Sequence, residues 1–135
     1  MVLKYPEGKQ IPLKAGADIT AGQVVELTGD ETVGPTEGAS SKVIGVALVD
    51  AKAGEKVTVV TEGVVEVIAA GAISAGTKVV SAIGGKVAAY TPYDVPATFA
   101  DTDVEKAVAE ATKIIGIALT SASADGDKIL VKLTL

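Results

Sequence analysis

Lys42 to Val67 reads KVIGVALVDAKAGEKVTVVTEGVVEV, and this stretch decides the fold class. Three apolar runs, Val43–Val49, Val57–Val60 and Val64–Ile68, are separated by Ala53-Gly54 and Glu62-Gly63. The runs are short, rich in valine and bounded by glycine. β-branched side chains fit a pleated surface, and glycine supplies the positive φ that tight turns need. A helix would need apolar residues three and four apart over ten or more positions, and the turn spacing forbids that length. Strand alternation puts Val57 and Val59 on one face, with Lys56 and Thr58 on the other. Glu66 between Val65 and Val67 turns both valines to the core.

The pattern returns near the C-terminus. Lys42-Val-Ile-Gly-Val-Ala-Leu aligns with Lys113-Ile-Ile-Gly-Ile-Ala-Leu, Gly45 with Gly116, Gly54 with Gly126, and Lys56 with Lys128. Upstream, Ile19-Thr-Ala-Gly aligns with Ile73-Ser-Ala-Gly, each followed by a Val-Val pair, Val24-Val25 and Val79-Val80. Two copies are too few for a solenoid, which needs three or more repeats to bury a core. The reading is an all-β, single pseudo-two-fold-repeated domain of barrel-like form. Repeat one covers about 19–68 and repeat two about 73–135, the second lengthened by an insert at about 90–111. Gly45 and Gly116 lie inside strands and repeat in register, so matched bulges or close backbone approaches are expected there.

Other segments follow from local chemistry. Val24–Leu27 is a strand, and Thr28-Gly29-Asp30-Glu31 turns the chain into Thr32-Val33. Gly84-Gly85 is a hairpin signal between Lys78–Ile83 and Lys86–Ala89. The insert holds an irregular loop with Tyr90, Tyr93 and Phe99, then one short helix at about 102–111. Thr102 with Glu105 forms a capping box, and Val104, Ala107, Val108 and Ala111 share a face. Lys128–Leu135 alternates strictly, pointing Ile129, Val131, Leu133 and Leu135 one way.

Residues 1–16 read as an N-terminal arm ahead of a body at 17–135. Pro6, Gly8, Pro12 and Gly16 interrupt regular structure, while Val2, Leu3, Tyr5, Ile11 and Leu13 give it apolar content. It is either an edge strand on the domain's own sheet or an arm that pairs with another chain by strand addition.

Composition excludes several function classes. The chain is 135 residues long with a net charge of −5, and hydrophobic residues make up 48% but aromatics only 3%, so the core is aliphatic. Cysteine and histidine are absent, which removes the usual zinc, haem and iron–sulfur ligands and any Ser-His-Asp or Cys-His site. No catalytic residue, cofactor or metal is expected, and the chain does not read as an enzyme. Asp125 and Asp127 read as a tight turn, and Asp101, Asp103 and Glu105 as helix capping rather than a cation loop. Gly84-Gly85-Lys86 lacks the rest of a phosphate loop, and the surroundings of Lys86 lack the marks of a lipoyl or biotin carrier. All twelve basic residues are lysine, which with the acidic balance argues against nucleic acid. No apolar run approaches membrane-spanning length, and the N-terminus lacks a secretory h-region.

The succession Ile-Thr-Ala-Gly-Gln-Val-Val, Val-Ile-Gly-Val-Ala, Ala-Gly-Glu-Lys-Val-Thr-Val, Glu-Gly-Val-Val-Glu-Val, Ile-Ser-Ala-Gly-Thr-Lys-Val-Val resembles tailed-phage capsid decoration (cement) proteins of the small all-β, lambda-head-decoration-like type. The resemblance runs from about Ile19 to Ala89 and is completed by the last glycine strand and Lys128–Leu133. It implies a β-tulip-like domain that forms a homotrimer and sits on the outer surface of a virion, after synthesis in the host cytoplasm. There it would clamp neighbouring subunits of the major capsid protein. On that reading the arm supplies the capsid contacts: Leu3, Lys4, Tyr5, Lys9, Ile11 and Leu13. The competing reading is a free-standing carbohydrate- or cell-surface-binding β module, for which Tyr90, Tyr93 and Phe99 are the available aromatic platform.

Overall fold

Val24, Val25, Val43, Val46 and Ala47 are all buried, although they alternate along strands that ought to show one face to water. Burial of both faces needs a second layer, and the architecture supplies one. In the computed structural model, residues 10–91 and 101–135 are described, apart from the side chains of 101–104. The chain runs β1 (Gln10–Ala15), β2 (Val24–Gly29), β3 (Thr32–Pro35), β4 (Val43–Ala47), β5 (Lys56–Val60), β6 (Gly63–Ile68), β7 (Lys78–Ala82), β8 (Lys86–Ala89), α1 (Asp101–Ala111), β9 (Ile114–Ala118) and β10 (Lys128–Leu133). The first five strands close a barrel in the order β1-β3-β2-β4-β5, and the last five form a sheet in the order β6-β10-β9-β7-β8. The all-β expectation with one short inserted helix describes this molecule.

The two sets are copies of one unit, and the strand order locates the copies at 10–60 and 63–133. In each unit the first strand runs antiparallel to the last: β1 with β5 (Leu13 opposite Val57) and β6 with β10 (Val67 opposite Ile129). In each, the first strand also meets the third in parallel: Ala15 opposite Val33, and Ala69 opposite Val87. The bridges Ile19–Ala51 and Ile73–Ala122 correspond as well. The repeat boundaries expected from the sequence are therefore shifted. β6 opens the second unit rather than closing the first, and residues expected to be arm open the first. QIPLKA and GVVEVI share too little for alignment to pair them, and only the hydrogen-bond ladders reveal the match.

The matched glycines behave as expected. Gly45 lies opposite Val25 and Gly116 opposite Val79, and the ladder shifts register beside each, between Val25 and Glu26 and between Val79 and Val80. A Cβ at Gly45 would fall on the carbonyl of Val60, and one at Gly116 on the carbonyl of Lys132. Glycine at these bulges lets one strand's backbone press on the next.

Each unit has an aliphatic interior. The barrel holds Ala15, Ile19, Val25, Val33, Ala47, Ala51, Val57 and Val59. The second interior holds the counterparts Ala69, Ile73, Val79, Val87, Ala118, Ala122, Ile129 and Val131, and into the same cluster run Val24, Val43 and Val46 from the barrel's outer side. Each buried valine contributes about 1.5–3 kcal/mol relative to exposure, so this junction is a core in its own right. Polar groups at its margin are matched. The buried Thr36 hydroxyl donates to the Ala82 carbonyl (2.7 Å), and the Ser81 hydroxyl donates to Gly38 (2.8 Å) and accepts from the Ser40 amide (3.0 Å).

Smaller expectations resolve similarly. The Gly84-Gly85 hairpin forms, with both glycines at positive φ. Ile129, Val131 and Leu133 point inward as the alternation requires. Leu135 does not join them: β10 ends at Leu133 and Leu135 is exposed.

Candidate interaction surfaces

Ile11 and Leu13 were expected on a capsid-binding arm. Instead, Gln10–Ala15 pairs with β5 over five residues and with β3 at its end, and both side chains are half-buried against the barrel core. The alternation that made them candidates is the inward face of an integral strand. Pro12 does not break this strand, because β3 reaches only Lys14 and Ala15, leaving Pro12 with one neighbour, as on an edge. Leu3, Lys4, Tyr5 and Lys9 lie outside the described residues. The chain enters β1 at the rim of a groove of about 540 Å³, where Gln10 stands with Leu48, Val60, Glu62, Val64 and Glu66.

Of the polar residues weighed in the sequence, Lys86, Asp125 and Asp127 have ordinary partners, while the side chains of Asp101 and Asp103 lie outside the described residues. Lys86 Nζ lies 2.8 Å from Asp125 Oδ1 across the hairpin ends. Asp127 Oδ2 accepts from the Ser123 amide (2.9 Å), the Ser123 hydroxyl (3.0 Å) and the Ala124 amide (3.1 Å). These hydrogen bonds, led by the Ser123 amide, hold its carboxyl below the usual aspartate range. It caps a turn. The counterpart turn in the barrel is capped by Glu55 Oε1 accepting from the Lys52 backbone amide (2.7 Å). Tyr90 is half-buried, and its amide donates to Lys78; Tyr93 and Phe99 lie outside the described residues.

The surface that sequence reading missed is the outer face of the second unit. Ladder registers put Val64, Lys132, Ile117 and Lys78 in one row across β6, β10, β9 and β7. Glu66 and Leu130 stand beside them, Leu119 follows through its backbone N–H donating to the Leu130 carbonyl, and Ile68 lies opposite Lys128. Val64, Leu119 and Leu130 are exposed, as are Lys78, Lys128 and Lys132. Beside this row lies a depression of about 400 Å³ lined by Lys78, Ile114, Gly116, Ile117, Lys132 and Thr134. The signal was present in the alternation of Lys128–Leu133, where Leu130 breaks a run of lysines on the outward face.

The position of this depression in the repeat is informative. Lys78, Ile114 and Ile117 occupy the ladder positions that Val24, Val43 and Val46 hold in the barrel. In the barrel that face is buried against the second unit; in the second unit, among the described residues, its counterpart is partly open, with Lys78 exposed and Ile114 and Ile117 half-buried. Beside it α1 leads into Ile114. Val108 is 58% exposed, and residues 105–111 of the helix are exposed or half-buried.

Among curated proteins nothing matches this chain. Among solved structures, the N base of the head fiber protein gp8.5 from bacteriophage phi29 has a similar fold, with TM-score 0.62 and 16% identity over 93% of this chain and 92% of that one. A model of the phage cement protein family matches residues 5–133. That match takes in both units, the glycine bulges and the open face, and on it the chain belongs to the phage cement protein family.

Proposed function

We propose that the protein binds the outside of an icosahedral tailed-phage shell and stabilises it, as a homotrimer, by clamping neighbouring major capsid subunits. The observation that carries this reading is the family match over nearly the whole chain. Its fold likeness to a phage head fiber base accords with it. The contacts with the shell come from residues 2–9, which lead into β1 at the groove rim. Their backbone extends a capsid sheet by strand addition, with Leu3 and Tyr5 filling pockets. Lys4 and Lys9 add a salt-dependent attraction to acidic capsid surface. Ile11 and Leu13 act at one remove, by anchoring the root of this segment in the barrel.

The test is a deletion that stops at Lys9 and so spares β1. Full-length protein is expected to co-sediment with shells of the phage that encodes it and to raise their melting temperature. The deleted protein is expected to keep its own melting temperature nearly unchanged and to lose shell binding. Equal binding by the deleted protein would remove the segment from the interface. Failure of the full chain to bind would overturn the reading itself.

A further inference from the structure

Among the described residues, two surfaces are unpartnered and complementary. The first is α1, eleven residues carrying Asp101, Asp103, Glu105 and Glu110 against a single Lys106. Isolated helices shorter than about 12–15 residues are marginal in water, and most helices in proteins are held by packing an apolar face. Among the described residues, α1 shares no substantial contact with any strand of its own chain, and Val108 stands out from it. The second surface is the open face of the second unit, where Ile114 and Ile117 flank the depression between Lys78 and Lys132. Its counterpart in the barrel is already a docking face, buried through Val24, Val43 and Val46. Lysine at the position of Val24 changes what the face can accept: an apolar ridge bearing carboxylates rather than a plain aliphatic one.

We infer that α1 of one copy docks on the β7–β9–β10 face of a second copy, with Val108 entering the depression and Glu105 and Glu110 facing Lys78 and Lys132. This rests on the trimer reading and specifies its contact. On the trimer reading each copy gives its helix to the next, so the interface is head-to-tail and closes into a ring. Closure is favoured by placement, because α1 joins its own body at Ile114, on the wall of the depression. A helix leaving one copy therefore starts beside the site where its neighbour's helix arrives. The apolar contact supplies the attraction, and the charges select the orientation and disfavour mismatched pairings. Glu110 lies 3.4 Å from Lys113 of its own chain, a half-buried i,i+3 pair that docking would have to exchange for the contact with the neighbouring copy.

Light scattering and sedimentation of the full chain at micromolar concentration test this. The wild type is expected to be a trimer. Lys78→Glu with Lys132→Glu, on one surface, and Val108→Lys, on the other, are each expected to weaken association at least about tenfold, since every contact in a ring is lost together. All three side chains are exposed, so circular dichroism should be unchanged. Adding Glu105→Lys and Glu110→Lys to the lysine reversals should restore the trimer. Trimers unaffected by both sets would overturn the proposed contact and leave the trimer standing. A swapped variant that stays monomeric would overturn the charge pairing. A monomeric wild type would overturn the trimer and this contact with it.

Discussion

The barrel of residues 10–60 and the sheet of residues 63–133 share one strand order but differ at two places. In the barrel, β1 and β3 pair at Lys14–Thr32 and Ala15–Val33, and the cylinder closes. In the second unit the same seam holds a single bridge, Ala69–Val87, and its interior is completed by Val24, Val43 and Val46 from outside. The second difference is chemical. The position that is Val24 in one unit is Lys78 in the other, and so the outer face is buried in one and partly open in the other. A duplicated unit can thus specialise with few changes: the backbone stays, and single side chains decide which faces meet.

The largest expected effect tests what the units share. Gly45→Val and Gly116→Val each put a side chain where a neighbouring carbonyl stands. Each should cost more than about 4 kcal/mol, read from urea unfolding, because backbone on both sides must move. If one is tolerated and the other not, the bulges are not equivalent despite their shared register.

Exchanging the position that distinguishes the units comes next. Val24→Lys gives the barrel the residue of the second unit and buries an ammonium at the junction. It should cost about 3 kcal/mol, with the largest loss of amide protection in β6–β10. Lys78→Val is the reverse exchange at an exposed site. It should shift the stability of a single folded copy by no more than about 0.5 kcal/mol, while weakening the proposed pairing with Glu105 and Glu110 and raising non-specific self-association. Comparable losses from both would mean that the faces are not specialised as described.

The smallest effect concerns the paired turns. The carboxyl of Asp127 is held below its ordinary range in the folded chain, chiefly by the Ser123 amide. A depressed folded pKa adds stability that is fully present above the unfolded pKa and is lost as pH falls through the folded value. The difference between wild type and Asp127→Asn should therefore be constant at neutral pH and shrink in acid below the ordinary aspartate range. Melting temperatures from neutral to strongly acidic pH would show it. A difference that persists at the acid end would assign the effect to turn geometry rather than ionisation.

Much of the fold was legible because local chemistry and tertiary structure agree. Valine runs between glycines became β4, β5 and β6, and the repeated glycine strands revealed the bulges. What escaped was whatever depends on neighbours. Gln10–Ala15 looked like an arm because Pro12 interrupts it, yet it needs only one neighbour at that point and Ile11 and Leu13 face inward. Val24-Val25 looked like any strand pair, and nothing local says that both valines are buried. The open face was hidden for the same reason: Lys78, Ile117 and Leu130 are distant in sequence, and only strand order brings them together.

The asymmetric junction also orders events in time. All of the barrel's interior residues lie within 10–60, so every residue of the first unit's core has been synthesised before β6 is translated, and that unit can close first as the chain emerges. The second unit has no such independence, since three of its core side chains belong to the first. Its strands can gather early, but their seam fills only against a barrel already formed. Synthesis from the N-terminus therefore presents the template before the part that must be moulded on it, and a chain with the units in reverse order would expose an unfilled seam until its last residues emerged.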